Sequence, residues 1–258
     1  MTEAPRLYLA SASPRRRELL QRLGRPCTIL DARVDEESLQ REYPGPREDL
    51  AEYLARRKAL AAVAALASDE VETAWVLAAD TTVLLDERVL GKPRDAAEAA
   101  DMLLALRGRA HVVATGVALA SPLLLSDPPS VTPPSVTPPS VTSASAGRAV
   151  NSRILRSLAV RTHVEMRAYS HHELDAYVRS GDPLDKAGAY AAQSESFQPV
   201  ANIAGCFLSV VGLPLCAVAH LLQSAHVAIH PPRAELAHTP LVAACPWSTR
   251  CRPPLLER

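Results

Sequence analysis

The chain has 258 residues, enough to bury a sizeable core as one large domain or two small ones. Its 28 basic and 28 acidic side chains cancel, so no overall field attracts it to nucleic acid or to a membrane surface, and any anion binding must be local. The sequence shows neither a charged-then-apolar leader nor a run of about eighteen apolar residues, which predicts a cytoplasmic protein without a membrane span.

The chain opens with a short apolar strand that turns through small residues into a helix over about 14–23. Ser13 suits the N-cap of this helix and Pro14 its first position, where the missing N–H costs nothing. Three arginines, Arg15 to Arg17, follow in the first turn, where the helix dipole prefers anions. Phosphate would bind there through free N–H groups, serine hydroxyls and guanidinium groups. The alternative is a solvated basic face.

Two charged segments further along contain candidates for phosphate chemistry. Glu36 lies in an acidic cluster at 31–38 that is expected on a loop. It could ligate a divalent metal, because Mg²⁺ takes only one or two protein carboxylates and leaves other positions to phosphates and water; a solvated turn is the alternative. Leucines at helical spacing predict a long helix over about 47–67. It carries Arg56, Arg57 and Lys58, and either one of the three reaches inward to a phosphate or the run is the solvated face of the helix.

The apolar run at 74–85 predicts a strand in a sheet covered on both faces, with a single carboxylate, Asp80, in its middle. A charge inside such a strand is costly unless it is paired or metal-bound, which makes Asp80 the strongest functional candidate. Lys92, between a glycine and a proline, is expected on the same side as Asp80. Asp95 and Glu98 resemble a capping box that opens the next helix.

The composition changes abruptly after a predicted strand at 111–120. The sequence PPSVT occurs three times in succession, and 121–152 is predicted to be a disordered insertion. A strand at about 157–166 is expected to pair with 111–120 as a hairpin, with the insertion at its tip. Residues 200–211 are expected to form a broken strand pair, and 223–258 a disordered tail.

Seven short blocks stand in order along the chain: SASPRR at 11–16, VDE at 34–36, Lys58, ADT at 79–81, GKP at 91–93, DKAGAY at 185–190 with Gln193, and VVGLP at 210–214. In this order the chain resembles the Maf family of nucleoside triphosphate pyrophosphatases, over one domain at about 1–222 apart from the insertion. The resemblance implies an α/β fold with a mixed β-sheet flanked by helices, similar to that of the inosine triphosphate pyrophosphatases. It also implies hydrolysis of a nucleoside triphosphate to the monophosphate plus pyrophosphate, dependence on Mg²⁺ or Mn²⁺, and a homodimer.

The resemblance also assigns roles by position. Asp80 would be the acid–base residue and, with Glu36, would hold the metal. Lys58 and Lys92 would hold the triphosphate in the catalytic set, with Ser13 and Arg16 binding substrate beside them. A further set matches the branch of the family similar to the dTTP and UTP pyrophosphatases: Arg15, Thr81 and Gln193.

The segment around Gln193 departs from the family pattern. Residues 191–194 read AAQS where the family commonly has GIQG, and alanine or serine takes a positive φ less cheaply than glycine. The amide of Gln193 can nevertheless donate to and accept from the O4 and N3–H edge of uracil or thymine.

The leading hypothesis is therefore a pyrophosphatase that acts on dTTP, UTP or related modified pyrimidine nucleotides. The first alternative is a nucleotide-binding regulator of cell division or septum formation with little or no hydrolysis. The second is an interaction protein that works through the PPSVT repeats. The complete set of candidate catalytic residues favours the enzyme.

Overall fold

The computed structural model describes residues 6–31, 34–66, 74–121 and 155–229. The strands are β1 Arg6–Ala10, β2 Thr28–Ile29, β3 Ala74–Leu85, β4 Arg88–Leu90, β5 Ala110–Ala120, β6 Leu155–Met166 and β7 Val200–Ala204. The helices are α1 Pro14–Gln21, α2 Glu36–Glu42, α3 Leu50–Ala64, α4 Ala96–Leu106, α5 His171–Arg179, α6 Phe207–Val211 and α7 Leu215–Ser224. In the described ranges, no helix is long and apolar enough to span a membrane.

The described strands form one mixed sheet in the order β2-β1-β3-β5-β6-β7, with β4 also paired to β3. β1 runs parallel to β2 and β3, and the other pairs are antiparallel. Along one edge of β3, β1 pairs with residues 74–78 and β4 with residues 83–85. Residues 79–82 between them have no strand partner on that edge among the described strands. This four-residue stretch, which we call the β3 gap, contains Asp80.

Helices cover both faces of the sheet. On one face α3 packs its small side chains, such as Ala55, Ala59 and Ala62, against β1, β3 and β5. The approach is closest at Gly116 of β5, where an added Cβ would collide with the backbone of α3. The other face is covered by α1, α6 and α7 at one end and by α4 and α5 at the other.

The fold class implied by the sequence is confirmed: the structure is a mixed sheet flanked by helices. The predicted hairpin is also confirmed, because β5 and β6 pair continuously from Ala110 with Glu165 to Ala120 with Leu155. The predicted insertion lies outside the described residues except for Ser121. At the other end, the described chain runs past 222, and Val227 is buried against α7 and its neighbours. The remainder of the predicted tail, from 230, lies outside the described residues.

Three local predictions differ from the structure. The acidic cluster is not all loop, because Asp35 accepts a hydrogen bond from the N–H of Ser38 and so caps α2. The predicted second strand at 200–211 is instead α6, since a five-residue segment with four apolar side chains suits a buried helix as well as a strand. Asp95 does cap α4, but Glu98 accepts from the backbone and side chain of Arg94, so the capping box is not formed.

Candidate active site

The β3 gap opens into a cleft of about 690 Å³ between the end of β1, the start of α1, and residues 185–193 and 210–212. All nine site residues predicted from the sequence line this cleft: Ser13, Arg15, Arg16, Glu36, Lys58, Asp80, Thr81, Lys92 and Gln193. They come from six separate segments of the chain. Lys92 and Asp80 therefore share one cavity, as expected from the sequence.

An ion-pair cluster with two buried members, Lys58 and Asp80, and an exposed one, Glu36, lies on the α3 side of the cleft. The ammonium of Lys58 contacts a carboxylate oxygen of Asp80 and lies 2.9 Å from Oε1 of Glu36. Asp80 is 6% exposed and Lys58 9%. Burial raises the pKa of Asp80 above its usual value, while the positive charges of Lys58 and Arg16 oppose that rise. The cluster thus combines a buried carboxylate suited to accepting a proton with a cation that stabilises its ionised form.

The start of α1 forms the opposite wall. The Ser13 side chain caps the helix by accepting from the N–H of Arg16, and the hydroxyl of Ser11 accepts from the N–H of Ser13 at 3.3 Å. Pro14 occupies the first turn, as the sequence predicts. Because the first N–H groups of a helix have no intrahelical acceptor, this wall is suited to anions.

The side chain of Arg16 is largely committed to the protein itself. Its Nε donates to the carbonyl of Gly212 at 2.9 Å, and its Nη1 donates to the carbonyl of Ala79 at 2.7 Å and to the Ser11 hydroxyl at 3.3 Å. Its Nη2 donates to Oγ1 of Thr81 at 3.1 Å. Burial lowers the pKa of Arg16, but a guanidinium stays charged in proteins. With these four bonds, one of its five N–H groups remains for a ligand.

Arg15 points across the cleft mouth instead. Its Nη1 lies 3.5 Å from a carboxylate oxygen of Asp185, and both side chains are partly exposed. Asp185 also accepts from the buried Lys186 at 2.6 Å. Burial acts to raise the pKa of Asp185, but the hydrogen bond and charge of Lys186 outweigh it, so that the pKa lies below the usual value. Exposed pairs of this kind are weak, so Arg15 is free to exchange Asp185 for a ligand.

The turn that carries Gln193 is formed without strain in the segment that departs from the family pattern. The N–H of Ser194 donates to the carbonyl of Ala191 at 3.1 Å. Positive φ angles occur nearby at Gly188, Ala189 and Gln198, and not within 191–194. Alanine and serine can therefore occupy these positions without the backbone strain that the sequence suggested.

Two residues at the cleft, one lining it and one behind its wall, are not among the site residues predicted from the sequence. Lys186 is buried beneath the mouth, where its ammonium also donates to the carbonyl and the side chain of Asp182. Thr115, on β5, bonds the Thr81 hydroxyl from behind. The partners of Lys186 are only one and four residues away, and Lys186 stands in the DKAGAY block, so a search for local motifs can find it. Thr115 acts through Thr81 and Ser209, which are 34 and 94 residues away, and carries no such local signal.

Fold and cleft together define an α/β protein whose site combines a buried acid–base cluster with anion-binding groups. The chain belongs to the Maf family, because the family profile described as Maf-like protein matches residues 6–225. The family membership that the seven blocks indicate is thus confirmed.

Individual relatives agree with this assignment. The chain is 44% identical to the dTTP/UTP pyrophosphatase of Moorella thermoacetica over 217 residues, which are 84% of this chain and 93% of the relative. It is 42% identical to the dTTP/UTP pyrophosphatase of Myxococcus xanthus over 222 residues, 85% of this chain and 92% of the relative. Identity to the dTTP/UTP pyrophosphatase of Bordetella parapertussis is 40% over 228 residues, 88% of this chain and 96% of the relative.

Proposed function

We propose that this protein is a nucleoside triphosphate pyrophosphatase that hydrolyses dTTP and UTP, and related modified pyrimidine nucleotides, to the monophosphate and pyrophosphate. The single observation that carries the proposal is the contact of Asp80 with Lys58 inside a cleft that also holds a helix N-terminus and Lys92. The names of the relatives support the choice of dTTP and UTP. The cytoplasmic location and the homodimer stay predictions from the sequence.

We propose Mg²⁺ or Mn²⁺ as the cofactor, held by Asp80 and Glu36. These residues fit such an ion because both offer carboxylate oxygens and both contact the same ammonium group, so they lie close together. Among the described residues no group of three or more His, Cys, Asp or Glu side chains suited to a metal occurs. Nucleotide phosphates and water would supply the other ligands, and the ion would supply positive charge against the phosphate oxygens.

Asp80 is the proposed general base. Its carboxylate would take a proton from a water molecule as the water oxygen bonds to the α-phosphorus of the nucleotide. The bond from that phosphorus to the bridging oxygen breaks, and pyrophosphate leaves with the electron pair. The burial that raises the pKa of Asp80 makes it a stronger base, and Lys58 keeps it ionised until the proton arrives.

The cations of the cleft would stabilise the charge that develops on the phosphates. Lys92 is exposed at the cleft, and the one ion pair of Arg15 among the described residues is its weak pair with Asp185. Both can move onto phosphate oxygens, where pre-placed positive charge stabilises the transition state. Arg16 contributes mainly by fixing the wall, because most of its N–H groups are already bound.

The experiment that tests this proposal is pyrophosphate release from a panel of canonical and modified nucleoside triphosphates with Mg²⁺ or Mn²⁺. Asp80→Asn is expected to lower kcat for dTTP and UTP by about 10³-fold, the contribution of a general base, while nucleotide still raises the unfolding temperature. Asp101→Asn, on the exposed side of α4, is the matched control and should keep full turnover.

Two results would contradict the proposal in different ways. If Asp80→Asn keeps most of the turnover, the general base lies elsewhere. If the wild-type protein binds nucleotides and releases no pyrophosphate from any of them, the regulator becomes the better interpretation.

A further inference from the structure

Thr115 is a fully buried polar residue directly behind the cleft wall. It lies on β5 in register with Thr81 of β3, and the two hydroxyl oxygens are 2.8 Å apart. The Thr115 hydroxyl donates to the carbonyl of Ser209, at the middle of α6, at 2.7 Å. Its exposed fraction is 0%. A buried hydroxyl with both of its bonds made in this way is fixed in orientation.

The directions of these hydrogen bonds follow from proton counting. A threonine hydroxyl has one proton and two lone pairs. The proton of Thr115 goes to the Ser209 carbonyl, which can only accept, so Thr81 must donate its own proton to Thr115. Arg16, which can only donate, occupies one lone pair of the Thr81 oxygen at 3.1 Å. The order is therefore Arg16 to Thr81 to Thr115 to Ser209.

The same residues close a ring across four elements. Arg16 of α1 donates to Thr81 of β3, and Thr115 of β5 connects Thr81 to Ser209 of α6. The carbonyl of Gly212, just after α6, accepts from Nε of Arg16 at 2.9 Å and closes the ring. The ring fixes the side chain of Thr81 against rotation on the cleft side. The Thr81 oxygen is left with one free lone pair and no free proton.

We propose that Thr115 is a positioning residue for base selection, because it takes the proton of Thr81 and leaves Thr81 able only to accept from a nucleotide. This rests on the proposed function. Thr81 and Gln193 line the same cleft. With the Gln193 amide donating to O4, the N3–H of uracil and thymine is a donor that such a threonine can accept, whereas N3 of cytosine is an acceptor and would meet a second acceptor. Thr115 thus favours dTTP and UTP over CTP without touching any of them.

The test compares kcat/KM for UTP and CTP in the full chain. Thr115→Val removes the acceptor behind Thr81 and frees its proton to turn toward the nucleotide. The ratio of kcat/KM for UTP over CTP is expected to fall about tenfold, mainly through KM, because the lost discrimination is a binding effect. Thr115→Ser keeps the hydroxyl and should keep the wild-type ratio.

Thr162→Val is the matched control. Thr162 is equally buried on the neighbouring strand β6, and its hydroxyl bonds the backbone of Cys206 just before α6. It has no hydrogen bond to Arg16 or Thr81 among the described contacts. A loss of stability similar to that of Thr115→Val, with an unchanged ratio, is expected. Thr115→Ala removes the same hydroxyl and replaces Thr115→Val if that variant does not fold.

The proposal is overturned if Thr115→Val, or Thr115→Ala in its place, keeps the wild-type ratio, or if Thr162→Val lowers it equally. Its failure can be distinguished from a failure of the proposed function. If the wild-type protein hydrolyses neither nucleotide, the hydrolase proposal fails, and the ratio of dissociation constants for UTP and CTP, measured by calorimetry, then decides the role of Thr115 in the same way.

Discussion

Replacing Gly116 by alanine should displace α3 and with it the lysine of the acid–base cluster. Gly116 pairs with Asp80 in the sheet, and a Cβ at this position would lie well under 3.0 Å from the carbonyl of Ala51 and the N–H of Glu52. An ordinary contact begins at 3.4 Å, so helix and strand must separate by about 1 Å. Lys58 stands two turns beyond Ala51 on the same helical face and would move with it.

Two magnitudes follow for Gly116→Ala. Overpacking of this kind costs about 1–3 kcal/mol of stability. A misplacement of about 1 Å at a catalytic group can cost about 10²-fold in rate, so kcat/KM for dTTP is expected to fall by about that factor. The assays are urea unfolding and pyrophosphate release on the same preparations.

Leu106→Ala separates the two effects. Leu106 is fully buried on α4, on the face of the sheet opposite α3, and its truncation should cost about 2–5 kcal/mol. It should leave kcat/KM nearly unchanged under conditions where the protein is folded. A Gly116→Ala variant with wild-type kcat/KM would refute the view that this contact sets the position of Lys58.

Two further predictions concern buried charge. Burial lowers the pKa of His111 to about 4, and the neutral ring is hydrogen-bonded to Tyr190. The free energy of unfolding therefore includes the full contribution of the neutral ring above pH 6.5, and it decreases by up to about 3 kcal/mol as the pH falls toward 4. In urea unfolding, His111→Gln should remove that part of the pH dependence, whereas His163→Gln, at an exposed position, should keep it. Equal slopes of unfolding free energy against pH in the wild type and both variants would contradict this prediction. Lys58→Met leaves Asp80 without its buried partner and should lower the free energy of unfolding by about 3 kcal/mol in EDTA. Mg²⁺ should then add more stability to the variant than to the wild-type protein. An equal gain in both proteins would argue against a metal at Asp80.

The parts of the site that the sequence predicts are those with a local signal. The cap at Ser13 and the proline after it mark the start of α1, and Asp80 stands out as the one charge in an apolar strand. The β5–β6 hairpin follows from two strands of matching length on either side of a repeat tract. These features depend on neighbours within a few residues, which a sequence displays directly.

The contacts of Arg16 could not be predicted in the same way. Its acceptors Ala79 and Gly212 lie 63 and 196 residues away in the chain, and carbonyl groups are the same in every residue. The sequence thus indicates that Arg16 is a cation near phosphate. It does not indicate that most of the N–H groups of Arg16 are bonded to the protein itself. The helix α6 differs from the prediction for another reason, since five residues, four of them apolar, carry too little periodicity to separate helix from strand.

The β3 gap also bears on the solubility of the protein. Backbone groups left open along a sheet edge can recruit a strand from another molecule, and long flat edges of this kind lead to aggregation. Here the opening is only four residues long, with β1 at one end and β4 at the other, and Arg16 already occupies the carbonyl of Ala79. A small molecule can enter such an opening, whereas an extended polypeptide would collide with the flanking strands. The β3 gap can therefore admit a ligand to the interior of the sheet without itself offering a template for intermolecular β-pairing.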